Sequence, residues 1–509
     1  MGLNAGRAAN SRAGEAVPAN RIDELVLADL NRLGLEPARP CADAVFVRRV
    51  YLDTLGILPT AAEARDFLAN PSPNKRAALI ERLLARNEFA DYWAMKWSDV
   101  LRIKAEFPIN LWPNAAQGYH HWVRECIREN MPCDQFARAM LTASGSDFDV
   151  PAVNFYRALR SKDPQTIAQT VALTFMGTRI ENWPDAQRGN LAAFFSNVGY
   201  KSTQEWKEEI IFFDSHSTNA QALGNTARLA VFPDGAPVLL MPGTDPRTVF
   251  ADWLTARTNQ WFARNLANRQ WSWLLGRGIV EEPDDMRPDN PPANPELLAY
   301  LAQELITSGY DFKHVCRLIL NSRTYQSSPL PPSKTAEAAA HFACYPIRRL
   351  DAEVLIDAVD QITGASESYS SAIPEPYTFI PPDVRSVALP DGSITSSFLE
   401  MFGRPTRDTG LASERNDRIS GAQKLWLLNS TAMRQKLEQS GLVQSESGSA
   451  ATPRDVATGL YLTILSRLPS EEELRAVDGY FQSGKLGRKE ATVDVAWALM
   501  NSDEFLYRH

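Results

Sequence analysis

Four carboxylates crowd into residues 281–285, within a segment rich in proline. Carboxylates held this close repel one another, which raises the pKa of one for acid catalysis or lets several bind a hard cation. Their spacing matches no calcium loop. The nearest basic residues along the chain are Arg269, Arg277 and Arg287. Because the repulsion must be compensated, we predict that one of these three contacts Asp284 or Asp285.

Three interpretations of this acidic segment stay open. Asp284 and Asp285 are candidate catalytic carboxylates of a hydrolase or lyase, with Arg269 or Arg349 as the supporting cation. The same contacts would also suit structural ion pairs, and a solvated loop needs no partner at all. Arg349 is expected on a helix, one turn before Glu353, where the two can form an ion pair.

Ligand binding is predicted in two irregular regions. Residues 404–418, the arginine-rich segment, include Arg404 and Arg415 as candidates for an anionic ligand, because loops on a rigid scaffold often carry function. Trp112 and Trp183 each adjoin a proline in a predicted loop, where a sugar-stacking platform would be exposed. Most of the twelve tryptophans are expected in the core.

The sequence lacks the motifs of several other kinds of chemistry. The five cysteines include no CxxC or CxxCH spacing, so covalently attached haem is not expected. The sequence has neither the serine-hydrolase elbow nor the glycine patterns of dinucleotide-binding folds and P-loops. His120 and His121 are adjacent and point about 100° apart on a helix, which does not suit one shared metal. We therefore predict no metal and no cofactor.

The composition is that of an ordinary globular protein. The chain has 509 residues, 44% apolar and 22% charged, and its length predicts two to four domains. A formal charge of -8 without a basic cluster argues against binding to nucleic acid. No apolar run reaches the roughly 20 residues of a membrane span, so none is predicted.

Hydrophobic periodicity predicts a mainly α fold, with two helical modules and small β-hairpin insertions. Pro-Asp-Gly turns predict one hairpin at 229–241 and a second at 386–395. The predicted divisions are 1–20 a disordered leader, 21–205 an N-terminal helical domain, 206–244 a small β insertion or linker, 245–364 a second helical domain, 365–420 an irregular segment with a hairpin, and 421–509 C-terminal helices packing on the second domain.

Several phrases together resemble a pair of domains of unknown function that are abundant in planctomycetes and often accompany c-type cytochrome domains. In the first half they are Val47–Asp53 before Gly56, Trp93 with Trp97 and Asp99, and Leu191–Phe195. In the second half they are Asn268–Trp271 with Gly276–Gly278, Asp284–Arg287, Ser322–Gln326 and Arg348–Glu353. The resemblance covers nearly the whole chain from about residue 22, and implies an extracytoplasmic location.

Two departures from the family limit what the resemblance implies. Many relatives carry a CxxCH-like element where this chain reads Gly177–Pro184, and cysteines where it has Leu411 and Ser413. No haem or metal role is therefore carried over.

The family name conveys no reaction, so three functions remain. The preferred one is binding or helping to process a polymer such as polysaccharide in a cleft between the modules. The others are a carboxylate-dependent hydrolase or lyase, and a structural or assembly protein with no small ligand. The expected partner is polysaccharide or another extracytoplasmic protein. The enzyme requires the acidic segment and the arginine-rich segment to converge on one pocket.

Overall fold

Helices make up most of the chain in the computed structural model, which confirms the predicted mainly α class. The structure describes residues 18–215, 227–331, 335–416, 418–448, 451–484 and 486–509, so all but the end of the predicted leader lies outside the described residues. Within these ranges, no helix combines the length and the apolar character needed to cross a membrane.

Ten α-helices are described in the first part of the chain: α1 (Arg21–Leu33), α2 (Asp43–Thr54), α3 (Ala61–Ala69), α4 (Lys75–Leu84), α5 (Asn87–Val100), α6 (Pro113–Arg128), α7 (Cys133–Leu141), α8 (Asn154–Arg157), α9 (Pro164–Val171) and α10 (Asp185–Ala193). Local sequence sets several of their ends. The Asn20 side chain caps α1 by accepting from the N–H of Ile22. Thr60 and Glu63 form a capping box at the start of α3.

Fourteen more α-helices are described after residue 240: α11 (Pro246–Thr255), α12 (Gln260–Leu275), α13 (Pro295–Thr307), α14 (Phe312–Leu320), α15 (Ala336–Ala340), α16 (Ala352–Thr363), α17 (Ser397–Met401), α18 (Gly421–Asn429), α19 (Thr431–Gln439), α20 (Gly441–Glu446), α21 (Pro453–Leu465), α22 (Glu471–Gln482), α23 (Arg488–Met500) and α24 (Asp503–Leu506). Side chains of Asn259 and Asn294 cap α12 and α13. The proline-rich connection between these two helices contains neither helix nor strand, because proline lacks the N–H that either would need.

The described strands are short and form three small antiparallel sheets. They are β1 (Gly145–Ser146), β2 (Val198–Ser202), β3 (Glu209–Phe213), β4 (Arg228–Val231), β5 (Pro237–Leu240), β6 (Arg348–Arg349) and β7 (Tyr507–Arg508). β3 lies between β1 and β2, and β4 with β5 forms the first predicted hairpin. β6 pairs with β7, so that Arg348 stands opposite Arg508.

The second predicted hairpin is wrong. Residues 386–388 form a turn of 3-10 helix, and Thr395 pairs instead with Ser370. The Pro-Asp-Gly turn docks against another loop, since Gly392 donates its N–H to the carbonyl of Ile103 and the Asp391 carboxylate accepts from the N–H of Ala105. These external hydrogen bonds replace the ladder that a hairpin would form.

Buried apolar residues from both parts of the chain form one continuous core. Trp93 on α5 contacts Trp273 on α12 and Phe312 on α14, with ring centroids 5.7 and 4.9 Å apart. The Asp23 carboxylate on α1 accepts hydrogen bonds from the backbone N–H groups of Arg323 and Thr324. This packing fixes α5 against α12.

Candidate functional site

A cavity of about 170 Å³, here termed the charged cavity, lies where α5, α12, the β6–β7 ladder and the arginine-rich segment meet. The basic side chains that line it are Lys96, Arg269, Arg348, Arg415 and Arg508. Two carboxylates, Asp99 and Asp351, also line it. Its walls therefore come from the N-terminal helices, the second module and the end of the described chain.

Helix α12 presents one face to the charged cavity. Arg269, Ser272, Trp273 and Gly276 line it and follow the i, i+3, i+4, i+7 spacing of a single helix face. Gly276 ends the helix with a φ of 73°, and a Cβ there would lie 2.6 Å from Nη1 of Arg348. Glycine is therefore required both for the backbone and for the space.

Asp53 compensates the repulsion between Arg348 and Arg508. Like charges directly opposite in an antiparallel ladder destabilise it. Oδ1 of Asp53 accepts from both guanidinium groups, at 2.8 and 3.1 Å. Its Oδ2 accepts from the hydroxyls of Tyr325 and Tyr345, at 2.9 and 2.8 Å. This fully buried carboxylate on α2 thus holds the ladder together.

Asp351 joins the two sides of the charged cavity. Its Oδ2 accepts from Nζ of Lys96 at 3.0 Å and from Nη2 of Arg508 at 2.8 Å. Burial opposes ionisation of Asp351, but the charges of Lys96, Arg508 and Arg415 hold its pKa well below the usual range. Asp351 is therefore a permanent anion and a poor proton donor.

Arg415 is the most heavily paired cation of the site. Two of its nitrogens contact the Glu353 carboxylate at 2.7 and 3.0 Å, and Nη2 also donates to Asp99 at 2.7 Å. Burial favours its neutral form, yet Asp99, Glu353 and Asp351 raise its pKa well above the usual value. Asp99 accepts a further bond from Nε of Arg407 at 3.0 Å.

The acidic segment has the basic contacts that the sequence predicts. Asp284 is buried and lies 2.7 Å from Arg269, while Asp285 lies 3.0 Å from Arg287. The N–H of Ala412 donates to the Asp284 carboxylate, so the acidic and arginine-rich segments do converge. Arg269 lines the charged cavity, but the two aspartates lie outside its lining.

Arg349 and Arg404 hold backbone rather than line the charged cavity. Residues 348–349 pair with β7, so Arg349 lies in β6. The prediction that Arg349 lies on a helix one turn before Glu353 is therefore wrong. Its guanidinium donates to the carbonyls of Phe402 and Asn416. Arg404 donates to the carbonyls of Ile394 and Asp391. These contacts fix the arginine-rich segment in place.

The predicted tryptophans lie in two different settings. Trp112 contacts Trp206 and Tyr377, with ring centroids 4.7 and 5.5 Å away. These three residues, here termed the aromatic cluster, come from three distant segments, and Trp206 and Tyr377 are 59% and 47% exposed. Trp183 instead packs on Trp261 and is half-buried.

A groove of about 770 Å³ runs beside the aromatic cluster and is lined by Trp206. Its walls are residues 107–110, 157–162 in part and 202–209. Serine, threonine, glutamine and asparagine side chains line the groove together with charged ones, so it offers both hydrogen-bond donors and acceptors. Lys207 covers the aromatic cluster on one side, with Nζ 4.8 Å from the Trp112 ring centroid.

Two family models match the chain. Residues 21–183 match the family model described as a protein of unknown function (DUF1549). Residues 246–481 match a second model, described as a protein of unknown function (DUF1553). The chain therefore contains the pair of domains that its sequence resembles. No match was found among curated proteins or among solved structures. The charged cavity takes Lys96 and Asp99 from the first domain and most other walls from the second.

Proposed function

We propose that the protein binds a polysaccharide along the groove, with the aromatic cluster as its stacking platform. The observation that carries the proposal is the exposure of Trp206 and Tyr377 beside that groove. Large aromatic rings are normally buried, and an exposed patch of them beside a polar cleft is typical of a binding surface.

The geometry of the aromatic cluster suits a sugar ring. The Trp112 and Trp206 planes meet at 77°, so the two rings pack edge to face rather than as a flat stack. Pyranose rings have one apolar face that packs on such surfaces, and their hydroxyls need the amide and hydroxyl groups that line the groove. An elongated polymer would extend from the aromatic cluster past residues 202–209.

The contacts of Asp284 and Asp285 do not suit acid-base cleavage by these two residues, so binding is the better supported function. Asp284 is fully buried and engaged by Arg269 and by the N–H of Ala412. Asp285 is directed to Arg287. A pair of cleaving carboxylates must flank the scissile bond in one cleft. These two side chains have separate partners instead.

The test uses affinity electrophoresis of the full chain in gels that contain soluble neutral or acidic polysaccharides, followed by titration calorimetry with oligosaccharides of the best one. We expect Trp206→Ala and Tyr377→Ala each to weaken binding about tenfold, which corresponds to about 1.4 kcal/mol. Both side chains are exposed, so the melting temperature should hardly change.

Tyr480→Ala is the matched control, because Tyr480 is a 40% exposed tyrosine on α22 and belongs to neither site. Its affinity should equal that of the wild type. Absence of binding to every polysaccharide, or an unchanged affinity of Trp206→Ala, would contradict the proposal and favour the assembly function. Release of new reducing ends during the same incubation would show that the protein also cleaves the polysaccharide that it binds. An extracytoplasmic location, where such polymers are met, belongs to this proposal.

A further inference from the structure

The ion pairs around the charged cavity do not balance. A continuous chain of pairs within 3.5 Å has six basic members, Lys96, Arg348, Arg404, Arg407, Arg415 and Arg508. It has four acidic members, Asp53, Asp99, Asp351 and Glu353. Among the residues that the structure describes, the difference is two positive charges, and the neighbouring Arg269 and Asp284 cancel each other. Uncompensated buried charge is costly, so this arrangement favours an added anion.

Two side chains that line the charged cavity also carry buried donors. Within the part of the chain that the structure describes, Nη1 of Arg348 and Nε of Arg508 have no hydrogen-bond partner. The two side chains are only 10% and 2% exposed, and both line the charged cavity. A buried charged donor left without an acceptor is destabilising.

The size of the charged cavity limits the anion. Its volume is about 170 Å³, several times the roughly 30 Å³ that one water occupies in the liquid. The lining donors come from different directions, with Lys96 on α5, Arg269 on α12 and Arg508 on β7. A compact anion with oxygens pointing several ways uses such donors better than a planar carboxylate does.

We propose that the charged cavity binds one tetrahedral oxyanion, a phosphate or sulfate, either free or as a monoester group on a larger molecule. The anion accepts hydrogen bonds from the lining guanidinium and ammonium groups and neutralises the excess positive charge. This site is separate from the groove, and its occupancy does not depend on polysaccharide binding.

Equilibrium dialysis of the full chain with radiolabelled phosphate or sulfate, at constant ionic strength, tests the proposal. We expect one equivalent to bind with a Kd of about 1 mM or lower. Ser272→Asp places a carboxylate among the lining residues and should weaken binding at least tenfold. Ser272→Asn has the same size without the charge and should retain binding. Lys96→Met, which removes one lining cation, should also weaken it.

Competition identifies the source of the anion. Displacement of labelled phosphate by a monosaccharide phosphate or sulfate would assign an ester group, whereas displacement by the inorganic ions alone would assign the free anion. Equal displacement by malonate would overturn the tetrahedral geometry. Absence of saturable binding in the wild type overturns the proposal, as does unchanged binding in a Ser272→Asp protein whose melting curve shows that it folds.

Discussion

At the scale of single residues, the charged cavity depends on pairings between segments far apart in the chain. Lys96 lies between Trp93 and Trp97 on a largely buried helix, where a lysine must find a carboxylate. Its partner Asp351 is 255 positions away. A lone lysine in an apolar stretch is a signal that could have marked it, but nothing in the sequence indicates which carboxylate it meets.

The two aspartates of the acidic segment should respond differently to the same substitution. Asp284→Asn removes the charge facing buried Arg269, and breaking a buried pair costs about 3–5 kcal/mol. Asp285→Asn removes a pair with the 38% exposed side chain of Arg287, for which about 0–1 kcal/mol is expected. Urea unfolding of both variants measures the difference.

The comparison also separates structure from function. If Asp284 is structural, Asp284→Asn lowers the free energy of unfolding and leaves ligand binding intact. Equal stability of the two variants would contradict the assignment of Asp284 as the buried partner of Arg269.

At the scale of elements, the sequence predicts helices well because their ends carry local signals. Thr60 with Glu63 marks the start of α3, and Asp163 before Pro164 marks that of α9. The β6–β7 ladder joins residues about 160 positions apart and carries no turn motif, so the local sequence predicts a helix at Arg349 instead. The turn at Asp391 has a hairpin motif, yet its hydrogen bonds are made with the loop that follows α5.

The end of α12 offers a test of packing against backbone conformation. Gly276→Ala must adopt a φ of 73° and also place its Cβ 2.6 Å from Arg348. Gly34→Ala at the end of α1 has a similar φ of 68° with nothing within 4 Å. Conformational strain costs each variant about 1–2 kcal/mol, and only Gly276→Ala adds displacement of a paired guanidinium.

Thermal or urea unfolding should therefore show the larger loss of stability for Gly276→Ala. Gly34→Ala serves as the control for the left-handed backbone alone. Losses of equal size would mean that Arg348 moves aside without cost, and the tight fit at this helix end would have no energetic role.

At the scale of the whole molecule, the five cysteines are buried and unpaired, and they report on both parts of the core. Burial raises the pKa of the Cys126 thiol to about 12 and that of Cys316 well above its usual value. Thiols react as thiolates, so the native protein should hardly react with a disulfide reagent.

Because the core is continuous, Cys126 and Cys316 should become reactive together during unfolding in urea. Mass spectrometry of peptides labelled at each urea concentration measures the two midpoints. Calorimetry should show one transition, because the core is continuous. Separate midpoints, or two calorimetric transitions, would show that the two domains unfold independently despite the shared core.

The ladder between β6 and β7 has a consequence for how the chain is made. Asp53 precedes its partner Arg508 by 455 positions, and a ribosome adding about 5–20 residues per second needs roughly 20–90 s to cover that distance. During this interval Asp53 lacks that partner. A product released before residue 508 leaves Asp53 and Asp351 without that guanidinium, and leaves β6 without its partner strand. The charged cavity is therefore completed only after translation has passed residue 508.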